Sequence, residues 1–349
     1  MNYIKGFDTL RGLSIILVLL THLGLYHYLP ENDFIRERVW RLISGGTGVQ
    51  IFFTLSGFLI TKILLHELNE FNSINFKNFY TRRFLRLLPP LILFYFVIGI
   101  LMYFEMIHTN RYAFLFSFFY LYNFVPNEFY TVELGHTWSL AVEEQYYLIW
   151  PIIISFLNKK KAFILIFLIL IACIFAVYLY PVLPFTNEFK SNRWFIPAVA
   201  PIMIGSFFAW LIDKQEDTYS RYFAQKHNTI WLGLILFMTP LYSPILELSF
   251  VFQSIGVSII LIWILLNQQS KVTSILNNRI LSYIGTISYG IYVYQGLFLR
   301  TGPGGSLWIQ DFPQNIALTF LTAIMSFHLL EKPILKLKKK YKRTIANKT

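Results

Sequence analysis

Three ionisable residues lie on one stripe at the start of the chain. Asp8 and Arg11 precede a mainly apolar run from Gly12 to Thr21, and His22 closes it. At about 100° and ~1.5 Å per residue, Arg11 and His22 share a helix face within ~20° and lie roughly 16 Å apart along the axis. Groups of this kind are costly at membrane depth, so they face a bundle interior and mark proton or substrate paths. An imidazole placed there is the natural proton acceptor at neutral pH, suited to deprotonating a hydroxyl. A histidine hydrogen-bonded to a neighbouring helix for packing is the other reading of the same residue.

Three further constellations accompany the stripe. Lys77, Arg82, Arg83 and Arg86 precede Pro89-Pro90. Arg82 and Arg86 are helix neighbours at i,i+4, and Arg83 and Arg86 at i,i+3. If the prolines begin a new helix, its free amides and the guanidinium forks together make a phosphate site; anchoring to lipid headgroups is the alternative. In the run from His136 to Tyr147, Glu143 and Glu144 enter an apolar segment side by side. Ser139 and Glu143 share a face, with Trp138 close by, so a carboxylate could orient a substrate or polarise the imidazole, while Glu144 reads as solvent-facing. The run Gly45 to Phe58 carries Ser56 and Gly57, small residues that allow close approach of a helix or a thin ligand. His66, His227, His328 and Glu331 read as solvated groups at helix edges. No CxxC, HExxH or phosphate-loop glycine pattern occurs, so metal and nucleotide-hydrolysis chemistry lack support.

The elements that must position these residues are membrane helices. Of 349 residues 56% are hydrophobic and only 14% charged, with mean hydropathy +0.53; a soluble domain carries about 25% charge. The 35 Phe, 22 Tyr and 8 Trp suit interfacial aromatic belts. Apolar runs near the length of a span fall at 12–29, 47–66, 88–107, 138–157, 162–180, 196–212, 229–245, 249–267, 280–299 and 315–334. The shorter stretch 112–125, followed by Pro126, reads as re-entrant or interfacial. Ten spans with an internal N-terminus put 23 of the 30 Lys and Arg residues on one side. Only Arg36, Arg38, Arg41, Arg111, Lys190, Arg193 and Arg300 fall on the other, a strong positive-inside bias. The net charge of +12 is then topology rather than a nucleic-acid signal. The expectation is one all-α polytopic domain over residues 1–335 with both termini cytoplasmic, and a basic tail at 336–349. No cleavable leader, internal repeat or appended soluble domain is expected. Cys173, the single cysteine, cannot form an internal disulfide.

Taken in order, these segments resemble the acyltransferase-3 family of integral-membrane O-acyltransferases. The resemblance covers essentially the whole chain. It rests on the Asp8–Arg11 to His22 opening, Phe53-Thr54-Leu55-Ser56-Gly57-Phe58-Leu59-Ile60, Phe79-Tyr80-Thr81-Arg82-Arg83-Phe84-Leu85-Arg86 with Pro89, Thr137-Trp138-Ser139-Leu140-Ala141-Val142-Glu143, Ile287-Ser288-Tyr289-Gly290-Ile291-Tyr292 and Glu331-Lys332-Pro333. It implies ten spans plus a re-entrant segment in a bacterial cytoplasmic membrane. Its expected activity is transfer of an acyl group, most simply acetyl, from cytoplasmic acyl-CoA to a hydroxyl of an envelope glycan or glycolipid, without a metal. His22 would be the catalytic histidine, Arg11 a required partner and Glu143 a site residue. Arg82, Arg83 and Arg86 would bind the acyl-CoA, while Asp8, Ser56, Gly57, Trp138 and Ser139 line or support the site. Where family members often carry a second histidine, this chain reads Tyr294-Gln295. The competing expectation is a transporter or flippase that uses Asp8, Arg11 and His22 as a proton relay. Oligomeric state is left open.

Overall fold

The computed structural model describes residues 3–157, 159–184, 188–213, 228–243, 245, 248–299 and 307–341. Among them no strand forms, only an isolated bridge between Pro126 and Phe189. The main helices are α1 (Phe7–His22), α2 (Gly45–Phe71), α3 (Phe76–Tyr103), α4 (Arg111–Phe118), α5 (Thr137–Phe156), α6 (Lys159–Leu179), α7 (Ala200–Asp213), α8 (Asn228–Phe237), α9 (Ser249–Leu266), α10 (Arg279–Phe298) and α11 (Gln314–Ser326). The last continues through a π turn at Phe327–Glu331 into Lys332–Lys336 and the short helix Leu337–Tyr341. Among the described residues five segments are long and apolar enough to cross a membrane: Phe34–Phe71, Phe76–Tyr103, Ile164–Val182, Ser249–Leu266 and Gln314–Lys336. α4 has eight residues, about 12 Å of helix, and is too short to span. His227, Arg300 and the tail beyond Tyr341 lie outside the described residues.

Local sequence sets the helix ends that matter for the site. Asn75 caps α3 by accepting from the Asn78 amide at 2.9 Å, and Asn278 caps α10 through the amides of Ile280 and Leu281. α3 then runs unbroken through Pro89 and Pro90, against the expectation that these prolines begin a new helix. Each proline removes one intrahelical donor, but the surrounding turns hold the helix. The arginine cluster therefore sits on the side of a continuous helix, without the helix N-terminus expected at the prolines.

α1 is the central rail. It packs on α10 and α2; α2 packs on α7; α9 contacts α2, α7 and α8; and α10 contacts α11. A β-carbon at Gly12 would collide with the Leu281 carbonyl oxygen, and one at Gly285 with that of Asp8. Only glycine allows these two backbones to touch. The hydroxyls of Thr9 and Ser282 meet at 2.9 Å across the pair, which sets the register of α1 against the parallel α10. Around this rail lie three buried apolar clusters, one of them joining Ile15, Val18 and Leu19 to Phe94, Ile291 and Val293.

Candidate active site

Each of the two ends of α1 carries half of the site. At the arginine end, Arg83 projects from α3 and lays its guanidinium 3.3 Å from the centroid of the Tyr147 ring. The hydroxyls of Tyr147 and Ser56 both donate to the Glu143 carboxylate. Residues from α2, α3 and α5, distant in sequence, thus form one polar chain. Arg83 Nε is buried without a protein partner. Arg11 is paired with Asp8 at 2.5 Å, one turn back on the same helix.

A cavity of about 170 Å³ runs along this chain. Arg11, Arg83 and Arg86 line it together with Ser56, Ser139, Glu143, Tyr147, Tyr289 and Tyr292. A second cavity of about 340 Å³, bordered by Tyr3, Asp8 and Glu331, shares Arg11, Leu59, Arg86 and Tyr289 with the first. The two cavities therefore share a wall that carries two guanidinium groups. Tyr289 is fixed there by donating to the Leu87 carbonyl at 2.9 Å.

Towards the histidine end the first cavity is lined by a hydroxyl pair. Ser139 and Tyr292 hydrogen-bond each other. Both also reach the carbonyl oxygen of His136, at 3.2 and 3.0 Å. The His136 ring lies edge-on to Tyr292 and to Phe94, each 5.5 Å away between centroids. His22 is not among the cavity-lining residues. Its Nδ1 is buried without a protein partner, and it interacts electrostatically with His136.

Of the residues expected from sequence, the structure gathers Arg11, Arg83, Arg86, Ser56, Ser139 and Glu143 around one cavity, with Asp8 and His22 adjoining. Three stand elsewhere. Arg82 turns away, donating to the Tyr341 carbonyl at 2.7 Å and lying 3.8 Å from Glu67. Gly57 faces α7, where its α-carbon packs against Ile202. Trp138 packs edge-on to Phe53 at 6.1 Å and lies beneath Arg193 at 5.5 Å. His66 and His328 are exposed as expected, but Glu331 and Glu144 are not solvated edge groups. The π turn aims Glu331 inward, where it is 5% exposed and accepts from Ser326 at 3.2 Å. Glu144 is half-buried and interacts electrostatically with Arg83.

Sequence reasoning passed over four participants. Tyr147 and Tyr292 stand inside the quoted segments but were given no role. His136 heads the run that carries Glu143 but was given no role of its own. Lys338, in the polybasic tail, approaches Arg86, Arg83 and Arg82; burial, then these three cations, pushes its pKa down to about 7. The signal for Lys338 was the tail's density of charge, which reads equally well as lipid anchoring. Among the described residues no group of three His, Cys, Asp or Glu could hold a metal ion.

The model of a family described as an acyltransferase domain matches residues 4–331. The "Putative peptidoglycan O-acetyltransferase YrhL" of Bacillus subtilis is 28% identical over 95% of this chain and 55% of its own length. The peptidoglycan O-acetyltransferase OatA of Listeria monocytogenes is 29% identical over 96% of this chain and 56% of its own. The chain thus spans little more than half the length of these relatives. No solved structure matches it.

Proposed function

Because the chain belongs to the acyltransferase family whose model covers residues 4–331, we propose that it transfers an acetyl group from acetyl-CoA to a hydroxyl of an envelope glycan. In this reading the helices form ten spans of a bacterial cytoplasmic membrane, with the arginine end and both termini in the cytoplasm. The names of the peptidoglycan-modifying relatives support the acceptor class. The observation that carries the reading is the arginine-lined cavity, whose Tyr292 wall touches the His136 ring.

The chemistry follows from that layout. Arg83 and Arg86 meet the donor's phosphates, and each charge-assisted hydrogen bond contributes about 1.5–3 kcal/mol. The thioester arm extends past Ser56 and Glu143 towards Ser139 and Tyr292. Their hydroxyls, turning from the His136 carbonyl, become the donors that meet the carbonyl oxygen as negative charge develops on it. His22 accepts the proton of the attacking sugar hydroxyl, an effect of typically 10²–10⁴-fold. The new C–O ester bond forms as the C–S bond breaks, and the proton held by His22 passes to the departing thiolate, giving free CoA. The comparisons favour this group transfer over the transporter reading, since family and relatives alike are named for acyl transfer.

The test uses the full chain in detergent or nanodiscs with labelled acetyl-CoA and soluble peptidoglycan fragments. Acceptor-dependent release of CoA that disappears in His22→Ala supports the reading. A folded protein that neither binds nor consumes acetyl-CoA overturns it. Loss of ester-linked acetate from the envelope on gene deletion, read by mass spectrometry, would identify the acceptor.

A further inference from the structure

The histidine end holds polar atoms that the mechanism above leaves unused. His136 is 5% exposed and Gln295 1%. Nε2 of His136 and both amide atoms of Gln295 are buried without a protein partner. His22 Nδ1 stands in the same condition. Native interiors rarely leave such groups unpaired, and a cluster of them calls for a ligand.

Their placement is built rather than accidental. Thr9 meets Ser282 across the parallel α1–α10 pair, so His22, thirteen residues further on, comes level with Gln295. The next residue, Gly296, makes room for the second imidazole: a β-carbon there would collide with His136 Cε1. The His136 ring is clamped between Phe94 and Tyr292 and held by a backbone hydrogen bond to Val293. A ring tethered through one nitrogen offers the lone pair of the other.

We propose that His136 and Gln295 form the acceptor-binding half of the site: His136 Nε2 takes a hydrogen bond from a sugar hydroxyl next to the one His22 deprotonates, and the Gln295 amide holds a further polar group of the same sugar. The substrate class implied is a neutral, hydroxyl-rich face of a glycan, since an imidazole lone pair and an amide complement hydroxyls rather than a carboxylate or phosphate. This assignment rests on the acetyl-transfer reading and gives the chain a second histidine where the sequence pattern shows Gln295.

The test separates acceptor from donor. Transfer from acetyl-CoA to soluble peptidoglycan fragments is measured for the wild type, His136→Phe, which keeps a ring but removes the lone pair, and His136→Gln, whose amide oxygen reaches towards the place of Nε2. One lost hydrogen bond of this kind corresponds to roughly a tenfold change. His136→Phe is therefore expected to raise the acceptor KM about tenfold or more with the acetyl-CoA KM unchanged, and His136→Gln to recover part of the loss. Gln295→Leu, which keeps the volume, should raise the acceptor KM in the same way and serves if His136→Phe fails to fold. An unchanged acceptor KM in the folded variants, or donor and acceptor KM rising together, overturns the assignment while the wild-type transfer still stands. A wild type that transfers no acetyl removes both readings.

Discussion

The guanidinium of Arg83 lies 3.3 Å from the centre of the Tyr147 ring, and the hydroxyl of that ring donates to Glu143. Planarity is what the contact uses, because a flat cation can stack on the ring while its edge nitrogens still face the cavity. An ammonium cannot do both. Arg83→Lys is therefore expected to behave like Arg83→Ala, weakening acetyl-CoA binding by about 10- to 100-fold, the worth of one charge-assisted hydrogen bond. Scintillation proximity with labelled acetyl-CoA reads this directly; a Lys variant with wild-type affinity would refute it.

Tyr292 closes the cavity with its hydroxyl and supports His136 with its ring. Tyr292→Phe removes the first role and keeps the second. In the proposed mechanism it lowers kcat by about 10²–10³-fold, the cost of one oxyanion donor, and leaves the donor KM near that of the wild type. Loss of donor binding instead would place the hydroxyl in recognition.

Lys338 gives donor binding a pH dependence. Burial and the cations Arg86, Arg83 and Arg82 push its pKa down to about 7; Glu67 lies by Arg82, and Glu331 shares a cavity lining with Arg86. A bound phosphate raises that pKa, so binding takes up a proton between about pH 7 and the bound value. Affinity for acetyl-CoA should consequently fall as pH rises from about 7.5 to about 9, and Lys338→Met should flatten that slope. A slope that survives in Lys338→Met would show that another group is responsible.

Gly57 and Gly205 bring α2 and α7 into backbone contact. A β-carbon at Gly57 would collide with the Ile202 carbonyl oxygen, and one at Gly205 with that of Thr54. Gly57→Ala is expected to cost about 1–3 kcal/mol by overpacking, lowering the thermal midpoint in detergent. Gly99, where an added β-carbon would meet nothing within 4 Å, is the control. Gly99→Ala should leave the midpoint unchanged or raise it, since alanine is the better helix former.

Much of this was legible in the chain because it depends on short-range periodicity. The stripe from Arg11 to His22 follows from the helical repeat alone, and the apolar runs at 138–157, 249–267 and 280–299 fall within a residue of the ends of α5, α9 and α10. What escaped was set by tertiary context. Pro89 and Pro90 read as a helix start because their missing donors are a local fact, whereas the packing that carries α3 through them is not. Glu331 read as solvated because a π turn, invisible in composition, rotates it inward. His136 was named at the head of its run but given no role, because the pocket that Gly296 of another helix makes for it is tertiary information.

Arg11 and Arg86 stand in the wall between the two cavities. On the proposed reading, spent CoA must back out past the same pair of cations that would greet its replacement. Loading and emptying then become a single-file exchange at one doorway, and free CoA should compete with acetyl-CoA rather than leave by a route of its own.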